Sequence, residues 1–364
     1  PVKGEGCYVY DENGTKYLDL YGGHAVISIG HSHLEYVKAI SDQVSKLGFY
    51  SNSIKNPMQQ ELADKLEKLA GIENYQLFLC NSGAEANENA LKVASFETGK
   101  SKVIYFDNAF HGRTSGVVAV TDNESIKAPF NKDHHVVKLP FGDAEALTEA
   151  MQEGDVAAII FEIIQGVGGL DEAETAFYKK AEELCENYGA ILIADEVQAG
   201  YGRTGDFFAF QKHGIRPDIV SIAKGMGNGF PIGGVLIDNK IKSKYGMLGT
   251  TFGGNHLACA AGISVLDVIE KENLIENASE LSEYIQQKAK EIPQIKKVKG
   301  RGLMIGLEFE FEVAALRKDL LFNYQIFTGA ASNKKLLRIL PPLNIQKEHF
   351  EAFFKALKTA LENH

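Results

Sequence analysis

Tryptophan is absent from the 364 residues, and proline is sparse at nine. Cysteine is sparser still: Cys7, Cys80, Cys185 and Cys259 lie far apart in apolar or small-residue surroundings, and no Cys-x-x-Cys joins any two. That spacing excludes a small disulfide scaffold and suits a reducing compartment, so a cytoplasmic location is expected. Positive charge is not in excess. The 38 Lys and Arg against 48 Asp and Glu leave −10, with the two signs interleaved and no basic block to follow a phosphate backbone, which argues against nucleic acid as a partner. Long apolar runs are also missing. The longest, 156–164, is broken at Glu162 and falls well short of the ~20 residues that a bilayer-spanning helix needs, so no membrane partner is expected. No repeat or low-complexity segment occurs. No signal peptide is recognisable, and the chain opens at Pro1 inside a strand-like segment, as though upstream residues had been trimmed. What remains is an ordinary globular composition, 45% hydrophobic and 24% charged with 36 Gly. It is long enough for two domains, or for one large α/β unit with an appendage.

Between about 76 and 240, β-rich apolar runs alternate with helical spacing. The runs are 76–80, 102–106, 136–139, 156–164, 190–194, 218–223 and 232–237. Near-continuous apolar strands separated by helices predict a mostly parallel sheet covered on both faces, in the doubly wound α/β manner. The helical segments are 85–98 and 173–188, the second with Phe177, Ala181, Leu184 and Cys185 on one face. After Thr251 the texture changes: 255–290 reads as one long amphipathic helix, followed by short strands and a charged helix over 347–363. That portion is expected to form a smaller α+β domain. The first 45 residues read as strands around a hairpin signal at Asp11-Glu12-Asn13-Gly14, then a helix over 34–47.

In open α/β sheets ligands collect at the carboxyl ends of the strands, so the residues that follow each run are read first. After the first run comes Asn81-Ser82-Gly83-Ala84-Glu85, a small-residue turn entering a helix. Its N–H groups and the Ser hydroxyl make an anion site, while Ser82 with Glu85 also reads as a simple capping box. The second run leads into Phe110-His111-Gly112-Arg113, which reads either as an aromatic platform beside a carboxylate clamp or as a surface turn with a structural Arg. Asp195 and Glu196 end an apolar strand, where a carboxylate needs a donor or a cation. Lys224 leaves another apolar strand into Gly225-Met226-Gly227-Asn228-Gly229. Burial there would lower its pKa and leave a nucleophilic amine; the plainer alternatives are an ion pair at Asp195 and a snorkelling Lys224.

Two apparent motifs fail. The 225–229 glycines resemble a dinucleotide fingerprint, but Phe230-Pro231 and a strand follow where that fingerprint needs a helix. Thr98-Gly99-Lys100-Ser101 resembles the end of a P-loop, yet Ala94 stands at its first glycine and the segment ends a helix. His31 with His33, and His134 with His135, lack Cys or acidic partners at ligand spacing, so no metal is expected.

Taken together, the phosphate-type turn, the aromatic-Arg turn, Asp195 and Lys224 resemble the acetylornithine/succinylornithine (ornithine) branch of the class III pyridoxal-phosphate aminotransferases. The likeness runs over nearly the whole chain. It is carried by Gly30-His31-Ser32-His33, by the stretch from Asp195-Glu196-Val197-Gln198 to Gly202-Arg203-Thr204-Gly205, and by Thr250-Thr251-Phe252-Gly253-Gly254-Asn255. Gly300-Arg301-Gly302-Leu303-Met304 and Leu340-Pro341-Pro342-Leu343 extend it to the C-terminal third. The resemblance implies the fold-type I architecture, with an N-terminal segment 1–44 packed on a small domain 256–364 and a large cofactor domain 45–255. It further implies pyridoxal 5′-phosphate as cofactor, and a homodimer with shared active sites.

On the same basis, Lys224 bonds covalently to the cofactor aldehyde and later moves the substrate proton, and Asp195 keeps the pyridine nitrogen protonated. Ser82, Gly83 and Ala84 hold the phosphate, with Thr251 supplied by the other subunit. Phe110 and Val197 cover the two ring faces, Gln198 donates to the ring oxygen, and His111 and Glu162 complete the cofactor set. Arg113 takes the distal carboxylate of either substrate and Arg338 the α-carboxylate of glutamate or 2-oxoglutarate, while Tyr21, His24, Tyr50 and Asn52 line the acyl side. The implied reaction moves the δ-amino group of an N-acylated ornithine, acetyl or succinyl, to 2-oxoglutarate in arginine biosynthesis. Other class III activities are the alternative: transamination of free ornithine or another ω-amino acid, dialkyl amino acid decarboxylation, or amino-group migration.

Three positions depart from the family pattern. Val167, in Gln165-Gly166-Val167-Gly168-Gly169, stands where the family carries a Glu that masks the second Arg, and Leu34 and His256 stand where it usually has Pro. The first departure leaves Arg338 either to another acid or to water and chloride, and a cationic His24 would suit a succinyl carboxylate.

Overall fold

The computed structural model describes all residues 1–364. Seven strands form the main sheet, in the order Tyr75–Cys80, Gly233–Asp238, Ile219–Ile222, Ile191–Asp195, Val156–Phe161, Lys102–Phe106, Val136–Leu139. Gly233–Asp238 runs antiparallel to both of its neighbours, and every other pairing is parallel. Because Tyr75–Cys80 and Ile219–Ile222 are each antiparallel to the same strand, they run in one direction. Six strands therefore end on one side of the sheet, and the seventh begins there.

Side-chain alternation explains why the sheet is covered twice. Val103, Tyr105, Ala158, Ile160, Ile191 and Ile193 point to the face packed by Ala86, Ala90, Val93 and Ala94 of the helix Gly83–Thr98. Their neighbours Ile104, Phe106, Ile159, Phe161, Leu192 and Ala194 point the other way, into the larger core, where Phe177 and Tyr178 of the helix Thr175–Tyr188 meet Phe106 and Phe161 edge to face.

The remaining elements join the two ends of the chain. Strands Lys3–Glu5, Tyr8–Tyr10 and Lys16–Asp19 form a sheet that Ile326–Phe327 closes in parallel, with Ile326 opposite Leu18. The hairpin stands where Asp11-Gly14 predicts it, since Asp11 Oδ1 accepts the N–H groups of Asn13 and Thr15, each at 2.9 Å. A second antiparallel sheet contains Lys297–Arg301, Met304–Glu308 and Leu336–Ile339. The single long helix expected over 255–290 is instead two, His256–Lys271 and Leu274–Lys290. The break falls at Asn273, which adopts φ 51°, a left-handed conformation that Asn tolerates better than most residues.

Candidate active site

Strand ends build the site. Asn81 to Ala84 follow Cys80, Glu162 follows Phe161, Asp195 ends its strand, and Lys224 lies two residues past Ile222. Together with Phe110, His111, Gly112, Arg113, Val167, Val197 and Gln198 they line one cavity of about 400 Å³. Pro231 and Ile232, which lead into the antiparallel strand, close it from the far side.

Asp195 is buried and held from three directions. Its Oδ2 accepts from Asn87 Nδ2 and His111 Nδ1, both at 2.7 Å, and its Oδ1 accepts from Val197 N–H at 3.0 Å. An ionised carboxylate only accepts, so Nδ1 of His111 carries the proton in this pairing. His111 is fixed in turn, with its N–H on Thr121 Oγ1 and its carbonyl accepting from Asn87.

Ser82 caps the helix Gly83–Thr98 through Glu85 N–H, and Glu85 reaches back to Asn81 N–H and Nδ2. This is the capping box of the sequence reading shifted by one residue. It leaves the N–H groups of Gly83 and Ala84, which have no acceptor within the helix, facing the cavity as an anion cradle. Gly83 is required for close packing: a Cβ there would stand 2.6 Å from Val197 Cγ1.

Glu162 uses one oxygen for Phe110 N–H and the other for Gly166 N–H, at 2.9 and 2.8 Å. Burial, reinforced by Asp195 and opposed by His111, pushes its carboxyl up to about 7. Lys224 is half-buried, and burial holds its ammonium below the ordinary lysine range against the pull of Asp195 and Glu162. The Gly225–Gly229 loop behind it is pinned to the N-terminal segment. Ser28 Oγ donates to Gly225 O at 2.7 Å, and Asn228 Oδ1 accepts Ser28 and Ile29 N–H.

Arg113 sits exposed at the mouth of the cavity. Arg338 is almost fully buried just behind the wall, with Nη1 donating to Gly166 O, so the Gly166 peptide links it to Glu162. No acid lies within ion-pair distance of Arg338. The acid anticipated in place of a Glu at Val167 is not found within ion-pair distance; Glu162, tied to Arg338 through Gly166, accepts one N–H on each oxygen.

Besides Arg338, the candidates Tyr21, His24, Tyr50, Asn52 and Thr251 stand outside the cavity. Tyr21 and His24 adjoin it, the phenol 2.5 Å from His24 Nδ1 and the His24 carbonyl accepting Gln198 Nε2 at 3.2 Å. The expected cationic His24 is corrected here, since burial and the charges of Arg338 and Lys224 all lower its pKa and favour the neutral ring. Asn52 does not reach the cavity. It holds the Thr250–Gly253 turn through both carbonyls, at 3.2 and 3.1 Å, and Thr251 on that turn is exposed. Asn87 and Thr121 escaped the sequence reading because each acts on a residue distant in the chain and belongs to no motif, and Asn228 was read only as part of its glycine loop.

The cavity fits pyridoxal phosphate. Backbone donors and Ser82 await an anion at one end, a carboxylate floor accepts from a ring N–H at Asp195, Phe110 offers an aromatic wall, and Lys224 offers an amine. His111 Nε2 and Gln198 Oε1 are buried without a partner in the protein, which marks a polar site to be completed by another group. The model of the aminotransferase class-III family matches residues 1–361. The chain belongs to this family. It is a pyridoxal-phosphate-dependent transaminase of fold-type I. Among similar proteins, an acetylornithine aminotransferase of Archaeoglobus fulgidus is 42% identical, over 96% of this chain and 92% of its own. One from Aquifex aeolicus is 41% identical, over 99% and 96%. Of solved structures, the ornithine aminotransferase of Toxoplasma gondii matches with a TM-score of 0.92 at 30% identity, over 100% of this chain and 91% of that one. The acetylornithine aminotransferase of Elizabethkingia anophelis matches with 0.84 at 30%, over 100% and 93%.

Proposed function

We infer that this class-III aminotransferase moves the δ-amino group of an N-acylated ornithine to 2-oxoglutarate, giving the semialdehyde and glutamate in arginine biosynthesis. The observation that carries this reading is the pair of guanidinium groups at the Lys224–Asp195 cavity. Arg113 at the mouth and Arg338 behind Gly166 are both without an acid partner in the protein. A substrate pair in which one member is a dicarboxylate needs two such groups, and bidentate carboxylate binding suits guanidinium. The names of the Archaeoglobus and Aquifex relatives, both acetylornithine aminotransferases, agree with the acetyl form.

When bound, the cofactor supplies an electron sink for the carbanion formed at the reacting carbon. The chain supplies the rest. Lys224, held toward its free amine by burial, would carry the proton between the substrate carbon and the cofactor carbon on the far side of the shared nitrogen. Asp195, fixed by Asn87, His111 and Val197 N–H, holds a proton on the ring nitrogen. Ser82 and the Gly83 and Ala84 N–H groups bind phosphate, Phe110 and Val197 sandwich the ring, Gln198 and Glu162 serve its oxygen side, and Arg113 orients the substrate by its distal carboxylate.

The same reading takes the enzyme as a cytoplasmic homodimer, with 1–44 joined to 256–364 around the large domain 45–255. The sheet that Ile326–Phe327 shares with Lys16–Asp19 supports the joining. Exposed apolar side chains support the dimer. The helix Leu34–Lys46 packs Tyr36 against its own chain but has no fully buried residue, Leu34 and Val44 being 82% and 59% exposed, and Leu47, Phe49, Tyr50, Ile54 and Phe252 are further exposed apolar side chains. Patches of this kind mark association sites, and a self-complementary one gives a twofold dimer. Thr251 beside Phe252 then belongs to the neighbouring copy's phosphate site. The test is product formation: N-acetylornithine with 2-oxoglutarate should yield glutamate one for one, and Arg113→Met should raise the KM for both substrates. Glutamate formed faster from free ornithine than from either acylated form would contradict the substrate.

A further inference from the structure

Of the six arginines, Arg216 and Arg301 are paired with acids, and Arg203 is consumed by the carbonyls of Leu303, Pro341 and Ile27. Arg113 stands at the cavity mouth. The last two, Arg317 and Arg338, belong together. Arg317 projects from the helix Ala314–Tyr324, and its Nη2 donates to Thr328 O at 3.0 Å. The next residue, Gly329, exchanges both backbone hydrogen bonds with Arg338, at 2.8 and 3.1 Å. The ring of Tyr21 packs on Gly329 so closely that a Cβ there would stand 2.8 Å from Cδ2 and 3.0 Å from Arg338 Cβ.

Around this point three buried polar atoms lack any partner in the protein: Nε of Arg317, Nε of Arg338 and Oγ1 of Thr328. Arg338 and Thr328 are only 2% and 5% exposed, so these atoms are shielded from solvent. Neither guanidinium has an Asp or Glu within ion-pair distance. Two cations near one phenol repel each other and are desolvated together; burial lowers both, and Tyr21 opposes it at both, joined at Arg338 by Glu162. A carboxylate entering between them would satisfy both Nε donors and cancel the repulsion.

We propose that Arg317, with Arg338 and Tyr21, forms a two-guanidinium carboxylate subsite, and that Arg317 sets which carboxylated substrates this transaminase prefers. The inference rests on the reading of the function given above and names a residue that the single-Arg picture leaves out. The carboxylate comes from one of two sources, the α-carboxylate of glutamate and 2-oxoglutarate or a carboxylate at the end of the donor's acyl group. Either source uses the same chemistry.

The test uses holoenzyme, Arg317→Met and Arg317→Lys. Binding of glutarate, an unreactive dicarboxylate, is measured by calorimetry. Half-reactions with glutamate, N-acetylornithine and N-succinylornithine are followed by the visible absorbance of the lysine-bound cofactor. Loss of a charge-assisted contact is expected to weaken the affected ligand roughly tenfold to a hundredfold in Arg317→Met, with part of it regained in Arg317→Lys. Selective loss for glutamate and glutarate, with N-acetylornithine within about threefold, assigns the α-carboxylate. Selective loss for N-succinylornithine over N-acetylornithine assigns the acyl carboxylate. Equal loss for all four ligands, or no change in any, overturns the subsite. If the wild-type holoenzyme is converted by none of the three amino donors, the function reading fails instead, while glutarate still decides the subsite.

Discussion

Lys224 has φ 44°, in the left-handed region that costs a residue bearing a Cβ about 1–2 kcal/mol. Strain of this size persists only where the surroundings fix it, and here they do: Ser28 and Ile29, near the other end of the chain, bind the following loop through Gly225 O and Asn228 Oδ1. Lys224→Ala should leave a folded protein that still binds cofactor but loses the covalent absorbance, with single turnover falling roughly 10³-fold or more. Asp195→Asn should keep the covalent absorbance and lower kcat roughly 10²–10³-fold, measured under saturating substrates. Glu196, next in sequence, does a different job. It is buried, accepts Ala209 and Phe210 N–H, and burial pushes its carboxyl from 4.5 up to about 8. Its folded form holds the proton more tightly than the unfolded one, so its contribution to stability is complete below about 4.5 and is lost as pH rises through about 8. Urea titrations should show that slope, worth a few kcal/mol by order of magnitude, and Glu196→Gln should flatten it. Lys224, Asp195 and the Ser82 turn were legible because each directly follows an apolar run. Asn87 and Thr121 were not, since a helix interior and a loop carry no signal for a partner ten or more residues away.

The site depends on how elements meet. The helix Gly83–Thr98 brings its N-terminus against Val197 at the end of the central strand, and the absent side chain of Gly83 makes that approach possible. Gly83→Ala should weaken cofactor binding roughly tenfold, because overpacking of this kind costs about 1–3 kcal/mol. Adding Val197→Ala should recover part of the loss, whereas an additive loss in a cofactor titration would show that the two do not touch. The strands were legible from their apolar runs, and the fold class from their alternation with helices. The direction of Gly233–Asp238 was not, because an antiparallel strand buried on both faces is as apolar as its parallel neighbours. The split at Asn273 was missed for a related reason: hydrophobic periodicity continues across it, and only one backbone conformation marks the break.

At the scale of the whole molecule, a single chain exposes Leu34, Val44, Phe49 and Phe252 on one side and keeps Thr251 outside its own cavity. Replacing Leu47 and Phe49 together by Asp should halve the mass in sedimentation and weaken cofactor binding at least about tenfold, since the phosphate would lose the neighbouring Thr251. Unchanged cofactor affinity in a true monomer would show that each chain holds its cofactor alone. The central claim is that one cavity serves both an ω-amino donor and glutamate through two arginines, Arg113 and Arg338. The most direct measurement is a half-reaction titration of purified holoenzyme, without keto acid, in which glutamate and an N-acylornithine are added separately while the absorbance of the lysine-bound cofactor is followed. The account predicts full loss of that absorbance with each, restored by 2-oxoglutarate. Loss with neither, or with glutamate alone, would contradict it.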